Sequence, residues 1–497
     1  MQLKLIIPLL LLTFFWLDVS STPLSPEDIK WLNRINYGIN SQAINDFKNQ
    51  GKKNYLDRQL SAPTNDNLPP AINDIIAKLS ISRQDEALLA KEHHDKAKNL
   101  KKLPAEQRKA AKNAQKQSAE HLYEETMQRH LLRALYSPWQ VKEQMVWFWL
   151  NHFNVYNRKG ALRSFLADYE DSAIRPHAMG KFRDLVMASL RHPAMLIYLD
   201  NVHNASGKIN ENYARELMEL HTLGVDGGYT QQDVQELSKI LTGVAINWKD
   251  EKPKTKNDLQ RHYLRDGFFE FNPNRHDFSE KHFLGKTIKG EGFAEVEQVV
   301  DMLVKHPSTA RFVSRKLAVY FVSDNPPPAL VERMSKTFLA TDGDIPAILH
   351  TLLESQEFND SLGKKVSDPV HYVLAALRFG YDGQNITQTQ PIIHWLGALG
   401  EPLFGHLTPD GYGMTEKDWI SPAQLTKRFQ VAKQIVNSNL SAIDKKTTLK
   451  QQKLADQPLY QNIEPLLSTQ TKTALGKAAS AQEWNTFLLS SPEFVYR

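Results

Sequence analysis

The sequence predicts a mainly α protein, a large multi-helix domain carrying a small β-hairpin or irregular insertion. Three observations lead there. One helix-start grammar recurs at Ser25-Pro26-Glu27-Asp28, Ser137-Pro138-Trp139-Gln140 and Ser421-Pro422-Ala423-Gln424. Serine caps, proline takes the first helical position where its missing N–H costs nothing, and an acid or amide follows three residues after the cap. The stretch from about Asp85 to Leu132 is rich in alanine, lysine and glutamate and is broken at Pro104, as a helical hairpin or arm would be. Only Gly267–Gly290, with Phe268, Phe269, Phe271 and Asn272-Pro273-Asn274, reads as β.

The chain divides into residues 1–21, 22–84, 85–132 and 133–497. Lys4, then an apolar run from Leu5 to Leu17, then Val19-Ser20-Ser21 read as a signal peptide cleaved before Thr22. The implied location is periplasmic or secreted. No later segment is apolar enough to span a bilayer, so no integral membrane segment is expected after signal removal. Residues 22–84 form an N-terminal helical segment, 85–132 the arm, and 133–497 the main helical domain. Asp368-Pro369 starts a further helix ending at Phe379-Gly380, and Gly397–Trp419 reads as an ordered loop.

Composition excludes several chemistries. The chain has no cysteine, which removes thiolate metal sites, iron–sulfur clusters and cysteine nucleophiles. Its 61 Lys+Arg against 56 Asp+Glu leave a formal net charge of +5, too mild over 497 residues to argue for nucleic acid. Lys98, Lys101, Lys102, Lys109, Lys112 and Lys116 make the arm basic. A solvated helix face is the simpler reading, and contact with an anionic surface or polymer the other. His93 and His94 are expected to be exposed.

The most informative segment is Asn210–Gly224, read as a helix from about Glu211 to a left-handed Gly224. At ~100° per residue, Asn212, Glu216 and Glu219 share a face with Arg215 beside them, while His221 lies with Leu217 and Leu220. Two carboxylates one turn apart suit a metal site or an acid/base pair; a surface helix with an Arg–Glu pair explains them equally well. In Trp147-Phe148-Trp149-Leu150-Asn151-His152-Phe153, a helix apolar almost all round, Asn151 and His152 need buried partners. His276-Asp277 and Asp200-Asn201 are further candidates, and Thr230–Asp233 reads as a cap. No nucleophile elbow, His-Glu-x-x-His, phosphate loop, dinucleotide fingerprint or EF-hand loop is present, and no haem attachment motif.

Phe148-Trp149-Leu150-Asn151-His152-Phe153, Arg175-Pro176-His177-Ala178-Met179-Gly180, Asp200-Asn201, Asn210–Gly224 and Gly228-Tyr229-Thr230 form a recognisable set. His276-Asp277, Leu284-Gly285, Pro409-Asp410-Gly411-Tyr412 and Ser491-Pro492-Glu493-Phe494 extend it over nearly the whole mature chain. The chain resembles the bacterial exported family called domain of unknown function 1800. The resemblance implies export, a helical fold and, as a partner, an exported sulfatase-like protein encoded nearby; it implies no established activity. Leu150 departs from the family pattern, which has histidine there.

Two readings follow. One is a metal-assisted hydrolase acting on a cell-envelope or extracellular substrate, with a divalent metal as its cofactor. In it Glu216 and Glu219 serve as ligand and base, Arg215 holds an anionic group, and His152 and His276 are further ligands. Asn151, Asn212, His221, Asp277 and Asp200 would bind or support. The other is a non-catalytic exported scaffold or binding protein, whose polar residues form a buried structural network.

Overall fold

The computed structural model describes residues 23–100, 102–249, 251–441 and 449–497. The predicted signal peptide lies outside these residues. Helices dominate, and one continuous cluster of buried side chains runs from Ile29 to Phe494. Among the described residues no helix is long and apolar enough to cross a membrane.

Two of the three serine–proline starts form as read: Ser25 accepts from the Asp28 N–H (3.1 Å) and Ser421 from that of Gln424 (3.1 Å). Asp368 likewise caps the helix Pro369–Gly380 through His371 N–H. The Ser137 start differs. Ser137 accepts from Trp139 N–H, and the helix begins only at Gln140. The Gln140 amide donates back to the carbonyls of Ala134 and Ser137, so the residues between are drawn into a tight turn joining two helices.

The arm is a helical hairpin, Glu86–Leu100 followed by Ala105–Tyr136, with the break at Pro104. The second helix runs on past Leu132, and from Leu122 onward most of its side chains are buried. Contrary to expectation, His93 is buried and bonds Ser118, while His94 stacks on Trp248 with ring centroids 4.2 Å apart. His93 thereby ties the two arm helices together, and His94 fastens the arm to the body.

The β region is larger than a single hairpin. Strands β1 (Val244–Ile246), β2 (Leu264–Asp266) and β3 (Phe269–Phe271) form an antiparallel sheet in the order β1-β3-β2. Strands β4 (Lys281–Phe283) and β5 (Lys286–Ile288) form a separate hairpin. Its turn holds Leu284 at φ 47° and Gly285 at φ 74°, the pair of positive φ values that a two-residue hairpin turn favours.

Candidate functional site

The site is built around the end of the helix Gln140–His152, every residue of which is buried. Three asparagines at or beyond its C-terminus clamp the loop that follows Leu403. Asn151 donates to the Tyr412 carbonyl (3.0 Å) and accepts from the Tyr412 N–H (2.6 Å). Asn154 donates to the carbonyls of His406 and Thr408, and Asn157 to that of Phe404. These bonds satisfy amides that would be costly to bury alone. The loop lies so close that a Cβ on Gly411 would sit 2.2 Å from the Asn151 carbonyl oxygen, and Gly411 has φ 76°. Glycine is required there on both counts. The clamp presents Asp410.

Facing it is the Asn210–Gly224 segment. Asn212–Glu216 is α-helical, but Leu217–Thr222 widens into a π-turn before the left-handed Gly224. Such bulges recur at functional sites. Leu217, Met218 and His221 are buried, while Glu216 and Glu219 stay half-buried. Burial raises the Glu216 carboxyl above the usual carboxylate range; the charges of Glu219 and Asp410 push the same way, and Arg215 opposes them.

The third contributor is Lys316, half-buried on the helix Pro307–Phe321 over the Phe312 ring. Burial pushes its amine down to about 8, and Asp410 acts against that shift. Lys316 forms no ion pair among the described residues. The Tyr198 phenol completes the rim. It donates to the Leu407 carbonyl (2.8 Å), and burial and then the charges of Asp410 and Glu216 push its pKa up.

Beneath lie two buried imidazoles. His152 Nε2 donates to the His221 carbonyl (3.1 Å), and the rings stand 6.1 Å apart. His152 Nδ1 and His221 Nε2 have no hydrogen-bond partner. Burial, then the Lys316 charge, lowers both: His221 to about 3, and His152 well below its ordinary value. They are neutral at physiological pH.

The structure thus brings Glu216, Glu219, His152 and His221 into one neighbourhood, with Asn151 fixing the wall opposite. It separates the other candidates. Arg215 pairs with Glu211 (3.1 Å) and Gln231 instead of Glu216. Asn212 donates to the Leu199 carbonyl, tying down the helix start. Asp200 pairs with Lys159 (2.8 Å). His276 is bonded through both nitrogens, Nδ1 to the Thr242 carbonyl (2.7 Å) and Nε2 to Glu295 Oε1 (2.8 Å), where Lys281 also pairs. Asp277 accepts from the Ser279 N–H and holds that turn. His276 therefore has no lone pair free to share an ion with His152. Among the described residues no three His, Asp or Glu side chains are arranged to hold a metal. The divalent-metal ligand set expected from the sequence does not assemble whole, because His276 is committed to a separate network with Thr242 and Glu295.

A family model described as "Protein of unknown function (DUF1800)" matches residues 30–496. The chain belongs to this family. No curated protein and no solved structure matches. Within the family resemblance, the motif around Pro409-Asp410-Gly411-Tyr412 now has a physical meaning, since Gly411 and Tyr412 are what allow Asp410 to be held against the end of the buried helix.

Lys316 was not a sequence-level candidate. Its signal is the stripe Phe312, Lys316, Tyr320, which sets a lysine on an apolar helical face.

Proposed function

We propose that this is an exported hydrolase acting on a cell-envelope or extracellular substrate through acid–base chemistry. The observation that carries it is the convergence of Glu216, Asp410 and Lys316 from three separate elements, with Glu216 holding its proton above the ordinary range. Glu216 donates that proton to the leaving oxygen, while Asp410 accepts a proton from the attacking water. Lys316, near its titration point at neutral pH, steadies negative charge developing at the bond being cleaved. His152 and His221 keep the floor of the site uncharged. Export rests on the N-terminal apolar run.

The test is cleavage of a panel of envelope and extracellular polymers by the purified full chain, read as newly released end groups. Glu216→Gln is expected to slow any cleavage by ~10²–10⁴-fold, the range for removing a general acid. Glu332→Gln, at an exposed position that contributes none of these groups, is expected to leave it unchanged. Cleavage surviving Glu216→Gln contradicts the proposal.

A second reading, an exported scaffold or binding protein, is favoured by where two hollows lie. A 270 Å³ cavity opens between the helix Pro26–Ile35 and the segment ending at Arg497, and a cleft of 1090 Å³ runs beside the arm; Glu216 lines neither. A sulfatase-like exported partner belongs to this reading.

A further inference from the structure

The arm and the loop Asn157–Ser164 face each other across the 1090 Å³ cleft. Both walls are basic. Lys109, Lys112 and Lys116 line it from the long arm helix, and Arg158 and Arg163 from the loop. Glu120 is the one carboxylate among its lining side chains, and it is already paired with Arg163. Lys109, Lys112, Lys116 and Arg158 form no ion pair among the described residues. The first helix of the same arm behaves differently, since its Lys91 pairs with Asp95 and its Lys96 with Glu92. A merely solvated face would be expected to interleave its charges as that helix does. The spacing 109, 112, 116 puts the three lysines on one face along about 10 Å of helix at ~1.5 Å per residue. The loop wall is fixed, since Asn157 bonds both the Phe404 carbonyl and the Tyr123 hydroxyl.

We propose that this cleft binds an acidic polysaccharide. The length of the cationic row calls for repeated anionic groups rather than one small anion. The lining has no Trp, Tyr or Phe for a base to stack on, and its one ring, His93, is buried and bonded to Ser118, whereas single-stranded nucleic acid binding uses exposed stacking rings. Its apolar members are the small residues Ala97, Ala119 and Ala161, with no pocket for the large apolar anchors of a protein partner. The surface is concave, unlike one that lies flat on a bilayer. What remains is a hydrophilic chain carrying carboxylates or sulfates at intervals, held by charge and by the exposed amide of Asn113 on the same wall. The inference does not depend on the hydrolase reading, because a scaffold could hold such a chain equally well.

The experiment is equilibrium binding of the full chain to labelled oligogalacturonate and to a labelled heparin-type oligosaccharide, at two salt concentrations. Neutral dextran and single-stranded DNA of equal length are the comparisons. Saturable binding of at least one acidic saccharide is expected, weakening with salt because the contacts are charge-based. The two saccharide arms decide between carboxylate and sulfate. The triple variant Lys109→Gln, Lys112→Gln, Lys116→Gln should lose at least tenfold in affinity, and Arg158→Gln a smaller factor. Lys98→Gln with Lys102→Gln, on the arm but outside the cleft, should change it less than twofold. All these positions are exposed, so the fold should be kept, which the melting temperature checks. The inference is overturned if neither acidic saccharide binds at low salt, if DNA binds as tightly with the same variant sensitivity, or if the cleft and non-cleft variants weaken binding equally.

Discussion

Two segments of this molecule widen into π-turns, and they are used in opposite ways. The first, Tyr169–Ile174, carries Glu170 into a closed charge network. Arg175 makes a two-pronged pair with Glu143 (2.8 and 3.0 Å) and reaches Glu170 (2.8 Å), which also meets His130 (3.1 Å). These four side chains are buried, and the surrounding Arg133, Lys142, Asp66 and Asp171 extend the pairing. The second, Leu217–Thr222, sits beside half-buried Glu216 and a Lys316 that forms no ion pair among the described residues. Charges in the first are matched and closed off from water; in the second they are left unmatched and within its reach. Matched buried charges hold helices in register, whereas unmatched ones cost stability and are kept where chemistry or binding uses them.

The sharpest way to break this comparison is Arg175→Met. It strands Glu143 as an uncompensated buried carboxylate and leaves Glu170 only His130 and Arg133, and an expected loss of about 3–5 kcal/mol should appear in denaturant unfolding. A loss under ~1 kcal/mol would show that the first network is not what holds these helices together.

A pH-graded effect reads the two buried histidines. His221 falls to about 3 in the fold, against ~6.5 in the unfolded chain. The unfolded chain therefore takes the proton first. The stability this histidine permits is complete above about pH 6.5 and is lost as pH falls from there toward 3, at up to ~1.4 kcal/mol per pH unit. His152 shifts in the same direction. His221→Phe should flatten the slope of unfolding free energy against pH in this window by about that amount. An unchanged slope would place the proton uptake elsewhere.

The least disruptive test reads Lys316 directly. Its amine should react with an acylating reagent with a midpoint near the value of about 8 that burial imposes, against the ~10.4 of an ordinary lysine amine. A midpoint at the ordinary value would remove Lys316 from the site.

The helical class was legible because caps, prolines and charge patterns are local signals, and so was the arm with its break at Pro104. The Asn210–Gly224 segment was legible as a helix but not as one that widens at Leu217. A π-turn changes the angle per residue, yet Glu216 and Glu219 are both half-buried and His221 is buried with Leu217. His276 could not be separated from the site by sequence, because its partners Thr242 and Glu295 lie 34 and 19 residues away. Asp410 and Lys316 were missed as site residues for the same reason: the loop clamp by Asn151, Asn154 and Asn157 joins positions about 250 residues apart.

The measurement that bears most directly on the central claim is the unfolding free energy of Glu216→Gln at neutral pH. If the second π-turn region is held for function, removing a carboxylate that is half-buried beside Glu219 and Asp410 should leave stability within ~0.5 kcal/mol or raise it. A loss of several kcal/mol, comparable to Arg175→Met, would mean that Glu216 is part of the structural framework and that the two regions do not differ in kind.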